Sequence, residues 1–128
     1  MFQKKLNMKH NHTITHIEIP APDLERAVEF YSKLFDWEIQ IQPQGDYAFF
    51  RIGSTQSGGS FDAGLKPAEE KCGLQITIDV DDISLKLEEI EKAGGKIILG
   101  KTEIPSGHGF YACFRDPNGN YLQLHSRE

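Results

Sequence analysis

The sequence predicts an α+β domain built from two β-α-β-β-β modules. An internal duplication, a pair of acidic helix caps in register with it, and strands whose apolar residues alternate all point there. Shifting the chain by 59 positions aligns residues 16–39 with residues 75–98 without a gap, with identities at Ile17/Ile76, Ile19/Ile78, Asp23/Asp82, Glu29/Glu88, Lys33/Lys92 and Ile39/Ile98. A second match, Tyr47-Ala48-Phe49-Phe50-Arg51 against Tyr111-Ala112-Cys113-Phe114-Arg115, falls at a shift of 64, so the second copy has a longer loop before this strand. A solenoid needs at least three repeats. Two copies predict a pseudo-twofold pair of modules, whose half-barrel sheets curl together around a cleft.

The elements follow in order. Thr13–Ile19 and Leu74–Val80 alternate and are rich in β-branched residues, so they read as strands. Asp23 and Asp82 stand where an N-cap carboxylate satisfies the free N–H groups of a first helical turn. Leu24, Ala27, Val28, Tyr31, Leu34 and Phe35 then recur at helical spacing, as do Ile83, Leu87, Ile90 and Ala93 in the second copy. Gly94-Gly95 ends the second helix. Trp37–Gln42, Lys96–Leu99, Tyr47–Ile52 and Phe110–Arg115 read as further strands. Asp116-Pro117-Asn118-Gly119 is a strong turn leading into a strand at Tyr121–His125, whereas the first copy has a looser turn at Gly53–Gly59 before Ser60–Leu65. Residues 1–12 read as a mobile leader. Residues 13–126 form a single domain: module one at 13–66, a linker at 67–72, module two at 73–126.

The composition excludes several classes. The chain has 128 residues, enough for one domain. Its net charge is −5, which argues against nucleic acid and anionic membrane as partners. No apolar run approaches the ~18 residues of a spanning helix, and the N-terminus lacks the apolar core of a signal peptide. Cys72 and Cys113 are too few for a disulfide scaffold and read as free thiols in the cytoplasm. His10 and His12 look like an H-x-H metal clip, but such a pair in a mobile leader is usually a pair of solvated side chains. No nucleophile elbow or phosphate-binding loop is present. Cys113 takes the place of Phe49 of the repeat, which suggests packing rather than nucleophilic chemistry.

Alternation sorts the strand faces. Ile17, Ile19, Ile76, Ile78, Leu122 and Leu124 offer the apolar beds on which helices pack. The opposite faces carry His16, Glu18, Gln75, Thr77, Tyr121, Gln123 and His125. These are ordinary solvent faces or, if the sheets curl together, the walls of one ligand cleft. Tyr47, Phe49, Phe50, Phe61, Phe110 and Tyr111 can add an aromatic lining. Gly107-His108-Gly109 lies in the longer loop of the second copy, where His108 can reach a ligand.

His16, Asp23, Leu24, Ala27, Phe30 and Tyr31, then Val80-Asp81-Asp82, Ala93-Gly94-Gly95-Lys96 and Arg115 to Leu124 (R-D-P-N-G-N-x-x-Q-L), resemble the vicinal oxygen chelate superfamily of glyoxalases, bleomycin-resistance proteins and extradiol dioxygenases. The resemblance implies metal ligands on the first and last strand of each module, at His16, Gln75 and Gln123, with Asp62 or Gly64 as the fourth. Metal-dependent relatives carry Glu where Gln123 stands. Two neutral amides weaken the set for Zn, Ni or Fe, and with that Glu goes the usual base for proton transfer. A shifted site on His16, Glu18 and His125 is the alternative. The resemblance therefore implies a glyoxalase-like protein with an incomplete metal site, converting or binding a small molecule. Catalysis would be of lyase, isomerase or dioxygenase-related type. The alternative is a non-catalytic protein that sequesters a small molecule. A homodimer without resident cofactor is the implied assembly.

Overall fold

The computed structural model describes residues 12–55 and 57–128. His10 of the H-x-H pair and all of the expected leader except His12 lie outside them. Module one runs β1 (Ile17–Pro20), α1 (Leu24–Phe35), β2 (Glu38–Ile41), β3 (Tyr47–Arg51) and β4 (Gly58–Asp62). Module two runs β5 (Thr77–Asp79), α2 (Ile83–Lys92), β6 (Lys96–Glu103), a single 3₁₀ turn at Pro105–Gly107, β7 (Phe110–Arg115) and β8 (Tyr121–Ser126). Each forms a mixed four-stranded sheet, ordered β1-β4-β3-β2 and β5-β8-β7-β6. The two orders correspond strand for strand, as the duplication predicts.

Both caps form as expected. The Asp23 side chain accepts from Arg26 N at 3.2 Å and that of Asp82 from Leu85 N at 3.0 Å. Helix α1 buries Leu24, Ala27, Phe30, Tyr31 and Leu34; α2 buries Ile83, Leu87 and Ile90. With Ile19, Phe50, Phe61, Ala112, Phe114, Leu122 and Leu124 they make one apolar cluster spanning both modules. Trp37 joins it, stacked on Tyr31 and Phe50 at 5.1 and 4.7 Å between ring centroids.

Several strand boundaries differ from expectation, because pairing rather than alternation decides them. Strand β1 pairs only with β4, in parallel, from Ile17↔Gly59 to Pro20↔Asp62. Among the described residues the chain before Ile17 pairs in no ladder, so His16 precedes the strand instead of lying within it. Gln75 likewise precedes β5, which pairs with β8 from Thr77↔Gln123 to Asp79↔His125. Strand β6 runs on to Glu103 through two register shifts. Gly58 and Gly59, expected in a turn, belong to β4. A Cβ on Gly59 would stand 1.8 Å from the Ile17 carbonyl oxygen, so glycine is what allows the β1–β4 approach.

The Asp116–Asn120 turn does more than reverse the chain: it clasps the modules together. Asn118 exchanges two hydrogen bonds with the Asp23 backbone, accepting from its N at 2.6 Å and donating to its carbonyl at 3.0 Å. Asn120 Nδ2 donates to the Pro20 carbonyl at 2.6 Å. The fully buried Tyr31 hydroxyl donates to Asp116 Oδ2 at 2.8 Å. Asp116 also accepts from Asn120 Nδ2 and from the Asn118 and Asn120 backbone amides. Burial raises its pKa above the ordinary carboxylate value despite these donors, and burial followed by the Asp116 charge holds the Tyr31 phenol well above 10.0.

Candidate functional site

The polar faces of the sheets assemble by register. On module one Glu18, Ser60, Phe49 and Gln40 stand in a row across β1, β4, β3 and β2, with Arg51 between Gly58 and Glu38 beside it. His16, just before β1, reaches over this face. Its Nε2 lies 3.2 Å from the hydroxyl of the fully buried Ser60, and its ring meets Phe49 edge-on at 6.4 Å. On module two Thr77, Gln123 and Cys113 form the matching row, with Tyr121 opposite Arg115 and His125 opposite Tyr111.

Two clefts meet at His16. One, of about 540 Å³, follows the seam between the modules and is lined by His16, Glu18, Gln75, Asn120, Tyr121 and Glu70 among others. The second, about 1040 Å³ and shallower, spreads over module one past His16, Gln40, Phe49 and Arg51. Of the residues expected from the sequence, His16, Glu18, Gln75 and Tyr121 thus share one cleft. Thr77 and Gln123 are not among the residues that line it; they bond to each other across β5 and β8, Oγ1 to Oε1, at 3.2 Å. His125 lies at the far end of β8, its Nδ1 3.2 Å from Asp79 Oδ1 and its Nε2 2.9 Å from the His108 carbonyl oxygen. The His108 backbone bond raises the His125 pKa above 6.5, with Asp79 adding to it. His108 therefore enters through its main chain, on an exposed loop. Asp62 caps its own turn, accepting from Gly64 N at 2.8 Å.

The residues as they stand do not fit a resident metal. Gln75 donates its amide N–H groups to the carbonyls of Cys72, Gly73 and Leu74, Gln123 Oε1 faces Thr77, Asp62 faces Gly64, and His16 faces Ser60. Among the described residues no three His, Cys, Asp or Glu side chains group around a common point. The arrangement supplies hydrogen-bond donors and acceptors rather than a convergent charged donor set.

Arg51 and Gln40 were not singled out from the sequence; the alternation starting at Tyr47 was the signal that places Arg51 on the Phe49 face. Of the aromatic residues expected to line a cavity, Phe61 packs wholly inside the core and Phe50 stacks on Trp37. Cys113 is buried as expected, but on the face away from the core.

The fold is thus a pair of β-α-β-β-β modules with a polar cleft along their seam. The model of the Glyoxalase/Bleomycin resistance protein/Dioxygenase superfamily matches residues 13–124, and the chain belongs to that family. It is 32% identical over 112 residues to a glyoxylase-like domain-containing protein of Didymella fabae, covering 84% of this chain and 88% of that one. It is 26% identical to a probable lactoylglutathione lyase of Vibrio cholerae, over 89% and 90% of the two chains. Among solved structures, a mutant of the fosfomycin resistance protein FosX from Listeria monocytogenes, complexed with Mn(II) and 1S,2S-dihydroxypropylphosphonic acid, superposes with a TM-score of 0.75 at 18% identity, over 91% of each chain. That likeness speaks for the fold. No helix among the described residues is long and apolar enough to cross a membrane.

Proposed function

We propose that the protein binds a small oxygen-bearing molecule in the seam cleft, using His16, Glu18, Gln75 and Tyr121, with Thr77 and Gln123 as the adjoining polar wall. The observation that carries this is the convergence of the first four side chains from both modules on one cleft of about 540 Å³. The Glu18 carboxylate and the Gln75 amide oxygen offer acceptors there, and the His16 ring and Tyr121 phenol can exchange their contacts with Ser60 and Glu69 for a polar ligand. Family membership supports a small molecule as the ligand. The donor set favours direct hydrogen bonding over coordination, so the reading relies on no divalent metal and leans to sequestration; His16 and Glu18 are the groups that would serve proton transfer in a catalytic version. Binding as a homodimer in a reducing cytosol belongs to the same reading, with the exposed apolar Ile14 beside the cleft as its surface support.

A thermal-shift panel of small oxygenated compounds, run with and without added Zn²⁺, Ni²⁺ and Fe²⁺, tests it. Stabilisation by metal-free ligand that is lost in His16→Ala and Tyr121→Phe is the expected result. Stabilisation only with metal would refute direct binding. A monomer in light scattering at micromolar concentration would refute the dimer.

A further inference from the structure

The two modules carry the same Tyr-Ala-x-Phe-Arg strand but present it differently. Phe49 on module one is 45% exposed, whereas its counterpart Cys113 is 3% exposed. Cys113 sits between Ala112 and Phe114, which face the core, so its own side chain points away from the helices. Both neighbours belong to the apolar cluster and Cys113 does not.

The linker passes over this face. Lys71 Nζ stands 3.5 Å from Cys113 Sγ. The Glu69 carbonyl accepts from Arg115 Nη2 at 2.6 Å and faces the Tyr121 hydroxyl at 3.4 Å. Arg115 in turn lies over the Tyr121 ring, 4.1 Å from its centroid, and donates to its hydroxyl. The covering segment contains no strand or helix, and residues 68–75 are all exposed. Gly73 adopts φ +70° with open space around it, a conformation that suits a hinge. A segment with no ladder, held to the sheet through the Glu69 carbonyl and the Lys71 side chain and tied locally by the bonds from Gln75 to the Cys72, Gly73 and Leu74 carbonyls, belongs to the low-stability end of a fold. Among the described residues no linker segment contacts the equivalent Arg51 on module one. The ion pairs among the described residues are Lys86–Glu89 and His125–Asp79, and Arg51 enters neither.

We propose that residues 67–74 are a displaceable strap over a ligand subsite on module two, formed by Arg115, Tyr121 and the face around Cys113. A compound bearing a carbonyl or carboxylate oxygen takes the place that the Glu69 carbonyl holds. A guanidinium fork offers two parallel N–H donors, of which a peptide carbonyl satisfies only part. A carboxylate engages both, and so displaces the strap. Tyr121, Glu70 and Leu74 also line the seam cleft, so the subsite adjoins the proposed site and rests on that reading; labelling of Cys113 reads the strap, whereas the thermal shift of His16→Ala reads the seam cleft, and the two can fail separately.

With Cys72→Ser, Cys113 becomes the sole thiol, and its alkylation by iodoacetamide reports strap opening. Labelling is expected in native protein at a rate nearly independent of low urea, because local opening exposes little surface. Lys71→Ala, or two glycines inserted after Glu70, should speed it about tenfold with the urea midpoint unchanged. Acetate should speed it several-fold over chloride at equal ionic strength, and Arg115→Lys, which keeps the charge and loses the fork, should abolish that difference. Labelling that follows global unfolding would overturn the strap. Equal rates in acetate and chloride would overturn the oxygen-ligand subsite.

Discussion

Tyr31→Phe isolates the bond that locks helix α1 of one module to the turn of the other. The ring stacks on Trp37 at 5.1 Å and tilts against Phe61 at 4.9 Å, and Phe retains both contacts. What is lost is a fully buried hydroxyl donating at 2.8 Å to a buried carboxylate. Hydrogen bonds to charged groups contribute about 1.5–3 kcal/mol. Asp116 keeps donors from Asn118 N, Asn120 N and Asn120 Nδ2, and Phe leaves no orphaned donor on its own side, so we expect a loss of about 2 kcal/mol. For a domain of this size that lowers Tm by about 6–10 °C. Burial raises the folded-state pKa of Asp116, so this group's contribution to stability is fully present below its ordinary value of 3.8 and is lost as pH rises through the folded value. The phenol bonds the ionised carboxylate more strongly than the neutral acid, so the cost of Tyr31→Phe should be larger at neutral pH and shrink as pH falls through that folded value. Urea unfolding of both proteins across pH, with m held in common, measures it. A loss below about 0.5 kcal/mol at neutral pH, or one that grows on acidification, would refute the clasp.

Further outcomes are expected. Gly59→Ala places a Cβ against the Ile17 carbonyl and should cost about 3 kcal/mol or more, read by circular dichroism during urea unfolding; wild-type stability would show that β1 shifts freely. Asp23→Ala and Asp82→Ala should each cost about 1 kcal/mol, and similarly, because the cross-module bonds of Asp23 use its backbone and survive. His125 should titrate above 6.5 by NMR. Its doubly bonded tether to His108 and Asp79 is then present below that value and lost as pH rises through the folded pKa, so the amides of residues 104–109 should exchange faster at high pH, and His125→Gln should remove that step. Gln123→Glu combined with Gln75→His should bind Ni²⁺ or Zn²⁺ more tightly than wild type in calorimetry; no gain would show that these positions do not face a common point.

The sequence by itself determined the two-module architecture, because its signals are local. Asp23 and Asp82 cap helices through amides three residues on, and Ile19, Leu122 and Leu124 declare their buried face by alternation. It also placed His16, Glu18, Gln75 and Tyr121 on faces that turn out to meet. Tertiary structure decided what depends on partners distant in the chain. Strand pairing set His16 and Gln75 outside β1 and β5, since a strand ends where its ladder ends. Asp116 reads from sequence as a turn residue, and only packing brings Tyr31, 85 positions away, onto its carboxylate. Periodicity assigns Cys113 to a sheet face but cannot tell that the linker returns across it, because Glu69 and Arg115 are joined by a single carbonyl contact that leaves no pattern in the chain.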